Sequence, residues 1–213
     1  MQIIGQGIGL RIGHDLALEQ NRNLLWLLVA GTIPGGVIGF LFEKQAETSL
    51  RSPYVIATAA ILIGLVMWLA DSAGRRQKDI GHISMMDALF VGVGQALAII
   101  PGVSRSGITI SAGLWRNLDR ETAARFSFLL STPIIAGAGL KKFWDLMKHG
   151  GGLSPDMQTA FLTGIVVSAI TGCLAIGFFL SYVRRRSLAF FVWYRIVFGI
   201  IVIALAVFRF GGR

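Results

Sequence analysis

The sequence predicts an all-α, polytopic integral membrane protein with inverted-repeat architecture and a re-entrant helix pair around Pro101-Gly102. Three observations carry that prediction. Apolar residues make up 54% of the chain and charged residues only 15%, whereas a soluble protein carries about a quarter charged. The apolar residues are gathered into long runs with almost no charge. One of those runs ends in PGVSRSGIT, Pro101 to Thr109, where a helix-breaking pair precedes an arginine and several hydroxyls. Backbone broken at membrane depth must line protein or water, because lipid satisfies none of its polar groups.

The elements follow in order. Leu24 to Phe42, Tyr54 to Ala70, Thr159 to Val183 and Leu188 to Phe208 are each long enough, or nearly so, to cross a hydrocarbon core of ~30 Å. Phe126 to Leu140 is shorter and carries Pro133. Ala88 to Ile100 is too short to cross, which favours a hairpin that enters and leaves by one face. Trp26, Tyr54, Trp68, Trp144, Trp193 and Tyr194 fall near the ends of the runs, as interfacial aromatics do. Met1 to Asn23 lacks the basic leader and compact apolar core of a signal peptide.

Charge narrows the partners. The chain carries 20 Lys and Arg against 11 Asp and Glu, and the basic residues cluster in short loops. Arg75, Arg76 and Lys78 form one group and Arg184, Arg185 and Arg186 another, both expected on the same face and, by the positive-inside rule, the cytoplasmic one. Lys141, Lys142 and Lys148 fall on the opposite face. Basic residues that flank spans fit anionic lipid and not nucleic acid, which would need one exposed basic face. The single Cys173 lies mid-span and admits no disulfide within the chain.

A faint internal repeat is visible. Val29 to Phe42 resembles Leu162 to Ala175, and Ser52 to Ala70 resembles Ser187 to Leu205, at an offset of about 133 to 135 residues. Gly31 and Gly39 match Gly164 and Gly172, and Gly64 matches Gly199. Residues 1–213 then form a single membrane domain, with a partial first repeat over about 1–70 and a second over about 85–208. The first-repeat counterpart of PGVSRSG would lie upstream of Met1.

The broken segment has its own chemistry. Pro101 and Gly102 stop the incoming half-helix and let the backbone approach a ligand. Ser104 is placed to cap a second half-helix beginning near Arg105 or Ser106. The N-terminus of that half-helix offers unpaired N–H groups and the positive end of a dipole, an anion site. The planar fork of Arg105 matches phosphate oxygens two at a time, and an intramembrane arginine reads as functional by default. Thr109 shares a helical face with Arg105. Ser104 and Ser106 supply hydroxyls that bond a phosphate or attack it. Gln95, the amide in the preceding run, needs partners if buried: a facing helix or a ligand. Arg195, inside the last span, either snorkels to the interface or makes a second phosphate contact. All eleven carboxylates lie in or beside predicted loops, His14, His82 and His149 are scattered, and no metal-ligand spacing or Walker-type loop appears.

These residues also carry a resemblance. GVGQALAIIPGVSRSGITISAGLWRNLDRETAARFSFLLSTPIIAGAGL resembles the second signature region of the undecaprenyl-diphosphate phosphatase family, the bacitracin-resistance proteins. That family's Pro-Gly-x-Ser-Arg-Ser-x-x-Thr pattern is met by Pro101, Gly102, Ser104, Arg105, Ser106 and Thr109. Phe126 to Leu130, Pro133 and Tyr194 to Val197 match as well. The resemblance implies a multi-pass hydrolase of the bacterial cytoplasmic membrane. Such an enzyme removes the terminal phosphate of a C55 polyprenyl diphosphate, recycling the lipid carrier for peptidoglycan synthesis and conferring bacitracin resistance. It implies inverted repeats whose re-entrant pairs meet at the site. Ser104, Arg105, Ser106 and Thr109 are the expected catalytic set, with Gln95, Pro101, Gly102 and Arg195 on the substrate. It also implies a divalent metal, Mg or Ca, whose ligands sit in an acidic N-terminal signature that this sequence does not contain. A homo-oligomer is compatible with this picture. Two other readings stand beside the hydrolase: a carrier for an anionic lipid or phosphate compound, and an inactive short homologue that binds the lipid diphosphate without cleaving it.

Overall fold

The structure, a computed structural model, describes residues 23–48, 50–149 and 155–210; the leader reading of Met1 to Asn23, His14 and the start of the first repeat lie mostly outside them. All regular elements among the described residues are helical. Five are long and apolar enough to cross a membrane: α1 (Leu24–Glu47), α2 (Pro53–Ala73), α5 (Arg120–His149), α6 (Pro155–Arg185) and α7 (Ala189–Phe210). Between α2 and α5 lie two short helices, α3 (Met85–Ala96) and α4 (Arg105–Trp115). At ~1.5 Å per residue each covers little more than half of a ~30 Å core. The chain belongs to the all-α polytopic membrane class.

The helix expected over Phe126 to Leu140 is longer at both ends. Asp119 starts it early, its carboxylate accepting from the Thr122 N–H at 2.8 Å, and Pro133 sits inside it without ending it. Lysines and aromatics carry it on past Leu140 into the interface. The carboxylates at the ends of these extended helices, Asp71 in α2 and Glu121 in α5, are therefore helical and not in loops.

Small residues set the packing, as expected where lipid removes the hydrophobic drive between helices and close approach has to replace it. Helix α1 runs parallel to α3, with Gly31 against Ala88 and Gly92, and Gly35 against Gln95. Helix α2 runs antiparallel to α7. Gly64 backs onto the Val192 carbonyl and Gly199 onto the Ala57 carbonyl, so each glycine meets the carbonyl seven residues before the other. Phe126, Leu130, Ile110, Leu114, Leu118 and Val91 fill the centre, all but free of exposure. Helix α6 packs along α5, meets α7 near its end through Phe179 and Tyr182 on Phe191, and shows its apolar side chains on nearly every other face.

Polar ends confirm which loops share a face. Asp71, at the end of α2, binds Arg120 at the start of α5 at 2.6 Å and accepts from the Leu188 N–H ahead of α7 at 3.1 Å. Arg76 joins the same carboxylate at 3.2 Å. The Arg75-to-Lys78 and Arg184-to-Arg186 groups thus lie at one end, as the hydropathy pattern requires.

A Cβ on Gly92 would overlap the Gly31 carbonyl oxygen, and backbone cannot move aside as a side chain can. Gly92→Ala is expected to cost about 1–3 kcal/mol and to lower the melting temperature in detergent by several degrees. Gly39→Ala, with open space around it, is expected to hold or raise it. Equal melting of the two variants would contradict this packing.

Candidate active site

The site is a hairpin closed at its base by one carboxylate. Ser84 and Asp87 form a reciprocal capping box at the start of α3, so Asp87 is fixed before it meets any cation. It then binds Lys78 Nζ at 2.9 Å and Arg116 Nε at 2.7 Å. Because Arg116 caps the end of α4, this contact brings the entry of α3 and the exit of α4 to the same face. The pair is therefore re-entrant, and its tip is the Pro101-Gly102 turn. Burial alone would raise the Asp87 carboxyl, but hydrogen bonds from the Ser84 backbone, Lys78 and Arg116 outweigh it and hold the pKa at about 2.

At the tip α3 tightens into a 3-10 turn over Leu97–Ile99. The Val103 N–H then donates to the Ile100 carbonyl at 3.0 Å, and Gly102 stands at φ +93°. A proline followed by a glycine of positive φ under an i→i+3 bond is the pattern of a type II turn. Only glycine fits, for a Cβ at Gly102 would also overlap the Ile56 carbonyl oxygen of α2. The tip is thus covered by protein.

Helix α4 begins at Arg105, within the expected window. Ser104 caps it, its Oγ accepting from the Gly107 N–H at 3.1 Å and lying 3.3 Å from Ser106 Oγ. The Arg105 and Ser106 N–H groups have no acceptor among the described residues, so they remain the open donors of the helix N-terminus. The Arg105 guanidinium is half-buried and makes no ion pair or hydrogen bond with a described residue. Arg195 reaches across from α7 and donates to the Gly102 carbonyl at 3.4 Å. Pro101, Gly102, Ser104, Arg105, Ser106 and Arg195 therefore assemble around one turn: two guanidiniums, two hydroxyls and open N–H groups, with no carboxylate among them.

Two expected residues sit elsewhere. Thr109 is buried beneath the tip, where its hydroxyl donates to the Arg105 carbonyl at 2.8 Å and meets Ser127 Oγ of α5 at 2.6 Å. It braces the first turn of α4 without facing a ligand. Gln95 is 3% exposed and lies against Gly35 of α1; neither polar atom of its amide finds a partner among the described residues. Ser127 escaped the sequence reading because a serine on an apolar helix has no pattern of its own. Asp87 was legible in principle, since Ser84 three residues before it is a capping-box spacing.

Among the described residues no cluster of three or more His, Cys, Asp or Glu is placed to hold a metal ion. The groups at the tip are hydroxyls and guanidiniums, and the guanidiniums would repel a divalent cation. These residues do not fit the metal that the resemblance implies.

A short re-entrant pair presenting cations and helix N–H groups inside a polytopic bundle has the chemistry that suits an anion. The sequence match agrees with that chemistry. The family described as Bacitracin resistance protein BacA matches over residues 3–201, and the chain belongs to it. A protein of Moorella thermoacetica named undecaprenyl-diphosphatase is 48% identical over 187 residues, 88% of this chain and 69% of its own. A protein of that name from Pelotomaculum thermopropionicum is 47% identical over 207 residues, 97% of this chain and 74% of its own. Another, from Desulforudis audaxviator, is 47% identical over 186 residues.

The Asp87 carboxyl is depressed from an ordinary 3.8 to about 2, so its stabilisation is complete above pH ~4 and is lost as pH falls toward 2. The shift corresponds to a contribution on the order of 2 kcal/mol. Asp87→Asn is expected to melt well below the wild type at pH 7. That gap should stay constant down to pH ~5 and close between pH ~4 and 2. A gap independent of pH down to 2 would remove the carboxylate from this role.

Proposed function

We propose that this chain hydrolyses undecaprenyl (C55 polyprenyl) diphosphate to the monophosphate and inorganic phosphate in the bacterial cytoplasmic membrane, returning the lipid carrier to peptidoglycan synthesis. The observation that carries this reading is Arg105: a half-buried guanidinium with no counter-ion among the described residues, at the N-terminus of a half-helix inside an apolar bundle. Such a cation is costly unless an anion joins it. The family membership and the name undecaprenyl-diphosphatase borne by the relatives point to a lipid diphosphate as that anion.

The roles follow from the geometry. The fork of Arg105 takes two oxygens of the terminal phosphate, and the open N–H groups of Arg105 and Ser106 point along the helix axis at the same charge. Arg195 adds a second cation over the turn. Ser104 and Ser106 offer hydroxyls to the phosphate oxygens. As water adds to the terminal phosphorus, the bond to the bridging oxygen breaks and negative charge grows on the lipid monophosphate. Fixed donors that strengthen as this charge develops lower the barrier. Thr109, through Ser127, keeps the first turn of α4 in register and is a positioning residue. Gln95, against Gly35 of α1, is a buried amide with no partner among the described residues, so an entering substrate or water would supply its hydrogen bonds.

The repeat supports the same reading. The reciprocal contacts of Gly64 and Gly199, each on the carbonyl seven residues before its partner, are what two units related by a two-fold axis in the membrane plane would make, as would any antiparallel pair of helices. On that arrangement residues of about 1–70 belong to the first unit and those of about 85–208 to the second.

Phosphate release from a C55 diphosphate by the purified chain in detergent tests the proposal. Arg105→Ala is expected to lower kcat/KM by at least about 10²-fold, with unchanged melting, because the side chain braces nothing. Arg105→Lys is expected to recover only part, since it keeps the charge and loses the fork. Wild-type turnover in Arg105→Ala would overturn the assignment. Diphosphate binding without release by the wild type would favour a carrier or a binding protein instead.

A further inference from the structure

Helices α2 and α7 part at the end of the bundle away from Asp71. Their backbones touch where Gly199 meets the Ala57 carbonyl. About one turn further out, Pro53 of α2 and Val202, Leu205, Ala206 and Arg209 of α7 line a groove of about 180 Å³. All but Arg209 are apolar, so the floor suits hydrocarbon. Arg209 stands in the last turn of α7 and is exposed. Arg51, also exposed, lies just before Pro53 in the chain. Neither guanidinium forms an ion pair or hydrogen bond with a described residue. The carbonyl end of α7 favours a cation there without neutralising it.

The groove leads to the re-entrant tip along both helices. Residues two heptads apart share a helical face, so Arg209 stands on the face of α7 that carries Arg195, with Val202 midway. Pro53 lies one turn from Ile56 on the same side of α2, and the Ile56 carbonyl lies against Gly102. Arg195 donates to the Gly102 carbonyl at 3.4 Å. Two cations thus mark the ends of one apolar strip, roughly 20 Å apart along α7 at ~1.5 Å per residue.

Resting on the hydrolase reading, we propose that this groove is an entry station for the lipid diphosphate. Arg209 and Arg51 hold the headgroup at the interface, and the first isoprene units lie on Pro53, Val202 and Leu205. The headgroup then passes to Arg195 and Arg105, with no bond made or broken at the station. Charge complementarity and continuity with the tip select this occupant. A phospholipid would find the same cations, but a diphosphate carries more negative charge per headgroup and gains more from each basic residue near the surface.

Two measurements on the full chain in detergent test it, and neither needs turnover. The first is stopped-flow association of a fluorescent prenyl diphosphate. Arg51→Gln and Arg209→Gln are each expected to slow association several-fold at low ionic strength and to flatten its salt dependence, since a rim charge acts on the encounter. Arg209→Lys is expected to restore it, because the station uses the charge and not the fork. The second is native mass spectrometry of C55 diphosphate on Arg105→Ala. Adding Arg209→Gln is expected to weaken retention about fivefold. Unchanged association and retention in the glutamine variants would overturn the proposal. So would equal retention of phosphatidylglycerol, which would make the groove a phospholipid site. A loss of kcat at saturating substrate in Arg209→Gln would overturn it too, by moving Arg209 into the chemistry. A wild type that binds by these criteria but releases no phosphate would instead sink the hydrolase reading and uphold the groove as a diphosphate site.

Discussion

The chain reverses direction inside the hydrocarbon layer, and everything around the reversal exists to satisfy the backbone it breaks. Lipid offers no hydrogen bonds, so the turn at Pro101-Gly102 closes its own Ile100-to-Val103 bond, takes a further donor from Arg195 and presses against the Ile56 carbonyl of α2. The glycine contacts of α1 with α3 and of α2 with α7 follow from the same need. Only helices that approach to backbone contact can enclose so short a hairpin. What the enclosure leaves open is the N-terminus of α4, where the Arg105 and Ser106 N–H groups meet no acceptor among the described residues.

Charge is distributed by depth. Asp71 and Asp87 are buried, but each is ringed by cations at the basic end, where they tie α2, α5 and α7 together and close the base of the hairpin. Breaking a buried pair by removing one partner costs more than the intact pair contributes, so each carboxylate is needed to hold its cations and helices in place. The acidic side chains spent at the base are missing at the tip. Two arginines therefore stand over the turn with no carboxylate among the described residues, and it is this asymmetry between base and tip that the proposed function draws on.

Most of this was legible in the sequence, and for a physical reason. A membrane forces every span to be a helix, so runs such as Tyr54 to Ala70 and Leu188 to Phe208 give elements almost without ambiguity. A Pro-Gly pair followed by a serine then marks the break and the cap within a residue or two. The ends of the helices were less legible. Past Leu140 an interfacial helix is written in lysines and aromatics that read equally well as loop, and Asp119 caps α5 earlier than hydropathy alone suggests. Thr109 shows the remaining limit. Helical spacing puts it one turn from Arg105, but whether that face meets ligand or α5 depends on where Ser127 lies, and no local pattern carries that information.

The absence of a carboxylate beside Arg105 has a chemical consequence. An Asp or Glu paired with that guanidinium would stabilise the free protein and compete with every phosphate oxygen, so binding would first have to break an ion pair in a low-dielectric setting. Leaving Arg105 to the half-helix and its hydroxyls makes the unliganded state the less comfortable one. On the proposed reading, that discomfort is relieved by the diphosphate and relieved further as charge moves onto the leaving lipid monophosphate. The stability of the hairpin is supplied instead from the base, through Asp87. On the same proposed reading, hairpin integrity and phosphate affinity rest on different residues, and altering Asp87 and Arg105 one at a time separates folding from chemistry.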